Sequence, residues 1–396
     1  MNVTFVSLGS VGDVAPLMAV AACLQARGHA CELLTNEEFV PDARARGLKA
    51  SSVAPRAEIF RHAPRFEDYL YCSPVTIGEE LARRAPRVDL VVNCDRYCAS
   101  NLVAERHGLR VARVHLSPFK LRPYAMPSYD LFARDPRVLA YVNQLRGALG
   151  LARVDTAFHE EDYVVGHVAT FPSWFCPEPP SAAPRMEFVG FPLPPERVPL
   201  PPELQAFIQQ RGRPLMFTFG TANGQLQERI QQAEACCEEL RLPGVVLCPR
   251  GVGERRSSRR LLLCSFVPLG AVLPEARVLV HHGGIGTTAR ALEAGVPQVI
   301  IPQRFDQPDN GARCALLGVG SVLGPAPATP LLLEAIRTLL NDAEVAGRAA
   351  ELRARTESEQ GVERLADILE EFARAKRPDG ALAEARRACR ETATAV

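Results

Sequence analysis

The amino-acid sequence predicts an α/β protein made of two doubly wound halves, and three observations support this prediction. Short apolar runs, such as 3–8 and 88–94, alternate with helix-like segments along the chain. The runs have the length of buried parallel strands, and the segments between them are long enough for crossover helices. A proline-dense stretch at 177–202 interrupts the alternation once. We therefore expect two Rossmann-like domains that face each other across a cleft.

The proline-dense stretch sets the expected domain limits. The sequence predicts an N-terminal domain over 1–190, a linker over 191–202 and a C-terminal domain over 203–376. The final helix, expected at 362–375, is assigned to the C-terminal domain, with packing against the N-terminal domain as the alternative. Residues 377–396 are expected to form a tail that is either a short helix or disordered.

The composition excludes several classes of protein. Hydrophobic residues make up 47% and charged residues 23% of the 396 residues, which is typical of a globular chain. The net charge of +1 gives no basic surface for nucleic acid. No apolar run reaches about 18 residues, so we expect no membrane span, although peripheral membrane contact stays open. The chain begins with an apolar strand, and its 12 cysteines lack C-x-x-C pairs. These features predict a cytoplasmic protein with reduced thiols and no metal site.

The stretch 266–310 contains the most informative pattern in the sequence. An apolar run at 278–280 is followed by His281 and His282, then by three glycines within the turn 283–286, a helix from Thr287, and a second apolar run at 299–301. This order predicts a βαβ unit whose glycine-rich turn opens a helix. Helix N-termini of this kind bind anions, most often phosphates. The pattern matches neither a P-loop nor the usual dinucleotide fingerprint.

The first half contains a candidate catalytic carboxylate. Asp13 lies in the turn 9–16, which follows the first strand at its carboxyl end. A carboxylate in this place can serve as a general base, or it can simply cap the following helix. Asp95 and His115 also follow strands and are expected either to assist the base or the acceptor, or to form ordinary hydrogen bonds at the strand ends.

A proline- and aromatic-rich segment, 117–135, interrupts the rhythm of the first half. Its apolar side chains suit a wall that contacts an apolar small molecule, although ordinary packing explains them equally well. The residues assigned to this acceptor wall are Phe119, Tyr124, Met126, Tyr129 and Phe132.

Several short motifs together resemble one known family over essentially the whole chain. They are GSVGDVAP at 9–16, FPSWF at 171–175, GFPL at 190–193, FVPLGAVLP at 266–274, HGGIG at 282–286, AGVPQ at 294–298 and the pair Asp306-Gln307. The sequence resembles the family 1 glycosyltransferases of the GT-B fold. It is most similar to bacterial rhamnosyltransferases of the rhamnolipid type, and less so to natural-product and sterol glycosyltransferases.

The resemblance implies a donor-binding role for matching residues of the C-terminal half. It places His282 and Thr287 on the diphosphate of a nucleotide sugar, and Phe266 on the pyrimidine base, with the Val267 backbone at the base edge. It assigns the sugar hydroxyls to the pair 306–307, whose carboxylate and amide suit hydroxyl groups. The full donor set predicted in this way is Gly12, Thr221, Phe266, Val267, His282, Gly284, Gly286, Thr287, Asp306 and Gln307.

Two departures from the family pattern refine these implications. The plant-type motif has a ribose-binding glutamate eight residues after the phosphate histidine, where this chain has Arg290. A thymidine nucleotide has no 2′-hydroxyl, so the change favours a dTDP-sugar donor, with dTDP-rhamnose as the best guess. Many relatives have a histidine as base in the first turn, where this chain has Asp13.

The function predicted from the sequence is an inverting glycosyltransferase with no cofactor beyond its nucleotide-sugar co-substrate. The acceptor is expected to be a small lipidic or polyketide-like molecule with a hydroxyl group. The absence of a D-x-D triplet predicts metal independence, because the helix N-terminus and His282 would stabilise the leaving diphosphate. The alternatives are a UDP-hexose-dependent enzyme that acts on a sterol or macrolide, a nucleotide-sugar epimerase, and a catalytically silent nucleotide-sugar-binding partner.

Overall fold

The computed structural model describes residues 1–54, 74–94, 99–120, 136–155, 164–176, 186–196, 198–219, 226–248, 255–256, 258–265 and 267–375. These residues fall into two units. The first consists of the described parts of Met1–Leu116, Lys120–Pro192 and Gln360–Val396, and the second of Ser117–Phe119 and Leu193–Glu359.

A seven-stranded parallel sheet forms the centre of the first unit, with strand order β3-β2-β1-β4-β5-β6-β7. Its strands are β1 (Asn2–Val6), β2 (Ala30–Asn36), β3 (Lys49–Ala54), β4 (Leu90–Asn93), β5 (Val111–His115), β6 (Val164–Ala169) and β7 (Met186–Phe188). The helices are α1 (Val11–Ala26), α2 (Val40–Ala45), α3 (Pro74–Arg84), α4 (Ala99–His107) and α5 (Pro136–Ala148). Side chains alternate across the sheet, so Val3 and Phe5 pack into one apolar cluster and Val6 into another.

A second seven-stranded sheet forms the centre of the other unit, in the order β10-β11-β9-β8-β12-β13-β14, with only β10 antiparallel. Its strands are β8 (Leu215–Thr218), β9 (Gly244–Leu247), β10 (Arg255–Arg256), β11 (Leu261–Cys264), β12 (Val278–His281), β13 (Gln298–Ile300) and β14 (Gly320–Val322). The helices are α6 (Pro202–Arg211), α7 (Leu226–Leu240), α8 (Leu269–Val272), α9 (Ile285–Ala294), α10 (Gln307–Leu316), α11 (Thr329–Asn341) and α12 (Ala343–Ser358).

The strand order of each sheet creates one point where the direction of winding reverses. In the first unit this point lies between β1 and β4, and in the second between β8 and β12. Ligands of doubly wound folds bind beside such a reversal, outside the carboxyl ends of the strands. The turn that contains Asp13 follows β1, and the turn that contains His282 follows β12, so each lies at a reversal point of its own unit.

The last helix, α13 (Gly361–Arg374), belongs to the first unit. Its Leu365 and Leu369 are buried in the same cluster as Leu17 of α1. Arg27, directly after α1, donates to Asp367 at 2.6 Å. The second unit therefore ends at Glu359 rather than at the expected 376, because the apolar face of α13 is buried against α1.

The proline-dense stretch is more structured than the sequence suggests. Met186–Phe188 within it forms β7, which extends the first sheet by pairing with β6. The described residues of 191–201 contain neither helix nor strand, and α6 begins at Pro202. The expected tail, 377–396, lies outside the described residues. In the described part of the chain, no helix is long and apolar enough to cross a membrane.

Candidate functional site

The turn between β12 and α9 forms the centre of the candidate site in the second unit. Gly283 has φ +89, a backbone conformation that residues with a Cβ atom rarely adopt. A Cβ atom on Gly283 would lie 2.8 Å from Cγ2 of Ile300 and 2.9 Å from the carbonyl oxygen of Gln307. The turn can therefore approach the loop before α10 only because position 283 carries no side chain.

His281 ends β12 and is fully buried. Its Nδ1 accepts a hydrogen bond from the Gly283 N–H at 3.1 Å, so Nε2 carries the proton and donates to Oε1 of Gln298 at 3.0 Å. Burial lowers the pKa of His281 to about 3, because charge is costly away from water. His281 is thus a neutral support that holds the turn rather than a group that reaches a ligand.

His282 follows and is only partly buried. A Cβ atom on Gly284 would lie 2.7 Å from its Nε2, so the imidazole edge rests directly against the backbone of Gly284. Burial of the ring nitrogens lowers the pKa of His282 to about 4. Its buried Nδ1 has no hydrogen-bond partner among the described residues. At neutral pH the side chain can therefore offer a ligand a neutral N–H donor.

The first turn of α9 has no capping side chain, because its N-cap residue is Gly284. The N–H groups of Ile285, Gly286 and Thr287 open the helix and have no partner within it. Together with the positive end of the helix dipole, they form a site suited to an anion. Gly286 and Thr287 are both partly exposed, which keeps this end of the helix accessible.

The segment that carries the pair 306–307, at the start of α10, lies beside this turn. Oε1 of Gln307 accepts from the N–H groups of Gln303 at 2.8 Å and Arg304 at 3.1 Å. The amide nitrogen of Gln307 is thereby left as the donor that its side chain can offer a ligand. Asp306 begins the helix as its N-cap residue and is partly buried.

Asn310 connects the two segments, and the sequence argument missed it. Its Nδ2 donates to the carbonyl oxygen of Gly283 and to Oδ2 of Asp306, each at 2.9 Å. The side chain is completely buried. Its position one helical turn after Asp306 was the only signal in the sequence, because residues four apart share a helix face.

Arg290, the departure from the family pattern, is buried on α9 with several partners. It donates to Glu293 at 2.7 Å and to the carbonyl oxygen of Pro194 at 2.7 Å, and it forms an ion pair with Glu196 at 3.1 Å. Glu196 also accepts from the N–H of Gly270 at 2.7 Å. The guanidinium group thus joins α9 to the segment before α6 and to α8.

Asp13 occupies the first turn of α1 in the other unit. Its Oδ2 accepts from the N–H and from the hydroxyl of Ser10, each at 2.8 Å, which is part of a capping box. The Ser7 hydroxyl donates to the backbone carbonyl of Asp13 at 2.9 Å. No described residue forms a hydrogen bond with Oδ1. The carboxylate therefore caps the helix through one oxygen and can accept a proton at the other.

Gly9 makes room for this carboxylate. It has φ +127, and a Cβ atom at this position would lie 2.5 Å from Oδ2 of Asp13. The Gly9 N–H donates to Oδ1 of Asn36 at 2.9 Å, which fixes the start of the turn against β2. The geometry at Asp13 thus depends on a missing side chain four residues earlier.

The other predicted residues have varied surroundings. His115 is buried at the end of β5, and its Nε2 lies 3.0 Å from Nδ1 of His167, with the rings stacked. Of the two alternatives that the sequence analysis gave for His115, this contact is of the second kind, an ordinary hydrogen bond at the end of a strand. Gly12 lies in the first turn of α1, Val267 is buried, and Phe119 is partly buried. Asp95, Tyr124, Met126, Tyr129, Phe132, Thr221 and Phe266 lie outside the described residues.

No cluster of three or more histidine, cysteine, aspartate or glutamate side chains suited to a metal ion occurs among the residues with described placement. In the second unit, the structure brings together the turn 282–287 and the pair 306–307. Backbone N–H groups, one neutral histidine, a carboxylate and an amide converge there, a set that can bind a phosphate together with a hydroxyl-rich group.

Comparisons with known proteins agree with this chemistry. The family model for the C-terminal domain of erythromycin biosynthesis protein CIII-like proteins matches residues 257–372. Glycosyltransferase GtfE of Amycolatopsis orientalis is 27% identical over 399 residues, which cover 91% of this chain and 93% of that protein. The O-mycaminosyltylonolide 6-deoxyallosyltransferase of Streptomyces fradiae is 26% identical over 433 residues, covering 94% of this chain and 98% of that protein.

Solved structures match the fold across nearly the whole chain. The kitacinnamycin glycotransferase superposes with a TM-score of 0.75 at 21% identity, covering 94% of this chain and 99% of that chain. The spinosyn rhamnosyltransferase SpnG complexed with thymidine diphosphate gives a TM-score of 0.66 at 19% identity, covering 93% of this chain and 100% of that chain.

Two Rossmann-like units with parallel sheets, each with a polar turn at its reversal point, define a protein of the GT-B fold. The chain is a glycosyltransferase: it is similar over nearly its whole length to natural-product glycosyltransferases, and its residues 257–372 match the erythromycin CIII-like family model.

Proposed function

We propose that this enzyme moves a deoxysugar, with L-rhamnose as the leading candidate, from a dTDP-sugar to a hydroxyl group of an apolar polyketide-like or lipidic acceptor. The transfer inverts the anomeric centre, needs no metal ion, and uses Asp13 as the general base. The proposal rests chiefly on one observation, the uncapped N-terminus of α9 beside Asp306 and Gln307.

Each part of that observation suits a different part of a nucleotide sugar. The N–H groups of the first turn of α9 and the neutral His282 suit the diphosphate. The Asp306 carboxylate accepts hydrogen bonds from sugar hydroxyls, and the amide nitrogen of Gln307 donates to them. As the bond to the diphosphate breaks, the same helix N-terminus would stabilise the leaving group without a metal ion.

The nucleotide preference follows from Arg290. Its guanidinium group pairs with Glu196 and Glu293, where the plant-type relatives have a carboxylate for the ribose hydroxyls. A deoxyribose has no 2′-hydroxyl, so a deoxyribose nucleotide loses little binding affinity when that carboxylate is absent. Two further points favour a dTDP-deoxysugar: SpnG is a rhamnosyltransferase whose structure was solved with thymidine diphosphate, and the Streptomyces fradiae relative is a 6-deoxyallosyltransferase.

The reaction is a single displacement. Oδ1 of Asp13 takes the proton of the acceptor hydroxyl while the hydroxyl oxygen forms a bond to the anomeric carbon. The bond from that carbon to the diphosphate oxygen breaks, and its electron pair leaves with dTDP. One displacement at one carbon inverts its configuration.

Titration calorimetry with UDP, dUDP and dTDP tests the donor assignment. The UDP–dUDP pair differs only in the 2′-hydroxyl, and the dUDP–dTDP pair only in the 5-methyl group. We expect dUDP to bind at least as well as UDP, and dTDP to bind best. A clear preference for UDP over dUDP would instead favour the UDP-hexose-dependent alternative.

Turnover of dTDP-L-rhamnose with a panel of polyketide and lipid alcohols tests the reaction, with product configuration read by NMR. We expect acceptor-dependent turnover, an inverted product and full activity in EDTA. An altered nucleotide sugar formed without acceptor would indicate an epimerase. Donor binding without turnover of this or other dTDP- and UDP-sugars would indicate a silent partner.

Two variants of Asp13 separate its two roles. Asp13→Asn keeps an oxygen for the Ser10 donors but cannot take a proton, so turnover should fall by about 10²–10⁴-fold with an unchanged Tm and donor affinity. Asp13→Ala should lose turnover and also about 1 kcal/mol of stability with the cap. Retained turnover in Asp13→Asn would remove the base assignment while leaving donor binding intact.

A further inference from the structure

We propose that Asn310 is a positioning residue that fixes the diphosphate-binding turn and the sugar-binding carboxylate of Asp306 at defined positions relative to each other. This inference rests on the proposed function of those two segments. Asn310 touches neither the diphosphate nor the sugar in this account. It acts through Gly283 and Asp306, whose oxygens share its single amide nitrogen at 2.9 Å each.

The first contact aims a backbone donor. In a trans peptide the C=O and the following N–H point in opposite directions. Because the Gly283 carbonyl is directed at Asn310, the N–H of Gly284 is directed away from α10. The Gly283 N–H is already bonded to Nδ1 of His281. Asn310 and His281 therefore fix the two peptide planes on either side of Gly283, and with them the donor that precedes the first turn of α9.

The second contact fixes the carboxylate. The Asn310 N–H also donates to the carbonyl oxygen of Asp306 at 2.9 Å, so Asn310 holds both the main chain and the side chain of that residue. An amide donor at Oδ2 restricts the rotation of the carboxylate. The result is an acceptor oriented toward the sugar and a donor oriented toward the diphosphate, joined through one buried side chain.

Burial makes the arrangement rigid and sensitive to substitution. Asn310 is completely buried, and its Oδ1 has no hydrogen-bond partner among the described residues. A buried acceptor without a partner lowers the stability of the folded protein. Stability therefore does not explain why an asparagine occupies this position. An unsatisfied buried group of this kind calls for an explanation, and the positioning role of Asn310 provides one.

The charged groups around Asn310 define what a pH experiment can report. They are Asp306, to which Asn310 donates, its sequence neighbour Asp309, and His281 and His282, which precede Gly283, the other residue to which Asn310 donates. Asp309 is paired with Arg313 at 2.8 Å. The pKa values of His281 and His282, about 3 and about 4, keep both histidines neutral above pH 5. We therefore expect donor binding by the wild-type protein to change little between pH 5.5 and 8.

The test is Asn310→Asp, which preserves shape and replaces the amide donor with a carboxyl group. Two neighbouring carboxyls raise the pKa of one of them. Below that raised pKa the introduced group keeps a proton and can donate; above it both are ionised and the contact with Asp306 is lost. Affinity for dTDP-L-rhamnose, measured by calorimetry, should fall by about tenfold or more at pH 8 and recover toward pH 5.5.

Asn341→Asp is the matched control, because Asn341 is exposed at the end of α11. It adds the same charge and should behave as the wild type. An Asn310→Asp protein that matches the control at every pH would overturn the inference. A wild-type protein that binds neither dTDP-L-rhamnose nor UDP-glucose would overturn the proposed function itself. If the wild-type protein binds only UDP-glucose, the affinities of the Asn310 variants are measured with UDP-glucose instead. If Asn310→Asp does not fold, Asn310→Ser is measured, and donor affinity equal to wild type would count against the inference.

Discussion

At the scale of single residues, two neighbouring histidines have different tasks because of where their nitrogens lie. His281 has both nitrogens engaged inside the protein, with Gly283 and Gln298. His282 has its ring edge against the backbone of Gly284 at the accessible end of the turn. The first therefore shapes the site, and the second is available to a ligand. A motif with two adjacent histidines gives no indication of this division.

The pKa of His281 leads to a prediction about acid stability. An unfolded histidine binds a proton below its ordinary pKa of 6.5, whereas His281 in the folded protein stays neutral until about pH 3. The unfolded state thus binds more protons in this window, so folding stability falls as the pH drops below 6.5. His281→Asn, which keeps an acceptor for Gly283, should lower the Tm at pH 7 but show a shallower decline between pH 6.5 and 4.5. An equally steep decline would contradict this account.

At the scale of elements, the turn between β12 and α9 is defined by glycines with two different requirements. Gly283 needs both a positive φ and the absence of a Cβ atom, since Ile300 and Gln307 leave no space. Gly28, which follows α1, has a similar φ of +86 but has nothing within 4 Å of a Cβ atom. A side chain at Gly28 would therefore meet only backbone strain, whereas a side chain at Gly283 would meet both backbone strain and steric clashes.

Alanine at each position should reveal that separation. Gly28→Ala should lose only the conformational cost, about 1–2 kcal/mol. Gly283→Ala should lose more, because the loop before α10 must also move, and donor affinity should fall with it. Chemical denaturation together with calorimetry of dTDP measures both effects. Equal losses of stability at the two sites, with donor affinity unchanged, would show that the contact between the turn and the loop is unimportant.

The βαβ unit could be predicted from the sequence because its signals are local. Apolar runs, the glycine turn and Gly295, which ends α9 in the left-handed conformation, lie within one short stretch. Asn310 could not be predicted in the same way, because its role depends on a carbonyl oxygen 27 residues away. The partners of Arg290 were hidden for the same reason, since Pro194 lies 96 residues earlier.

At the scale of the whole molecule, the chain leaves the first unit after Pro192 and returns to it at Gln360. The helix α13 then completes the core of the first unit with four buried apolar residues. These are Leu365, Ala366, Ile368 and Leu369. The periodicity of α13 predicts its apolar face, but only the fold shows that α1 covers this face.

Removal of residues 360–396 should therefore damage the first unit, although the deleted segment is at the far end of the sequence. Burial of each large apolar side chain is worth about 1.5–3 kcal/mol, so the loss is comparable to the stability of a whole domain. A chain ending at Ala375, which retains α13, is the control, and the difference in Tm between the two truncated chains measures the contribution of α13. Thermal unfolding gives the Tm of both truncated chains, and their solubility on expression is compared as well. Equal Tm values would refute this role of α13.

The space left open at Gly9 also has a practical consequence for enzyme engineering. A methyl group there would displace the carboxylate of Asp13 while leaving every nominated catalytic and donor-binding residue in the sequence. A library randomised at position 9 is therefore expected to yield soluble, nucleotide-binding and inactive clones. Function assignment by the presence of catalytic residues alone would count such clones as enzymes, so position 9 should be checked together with position 13.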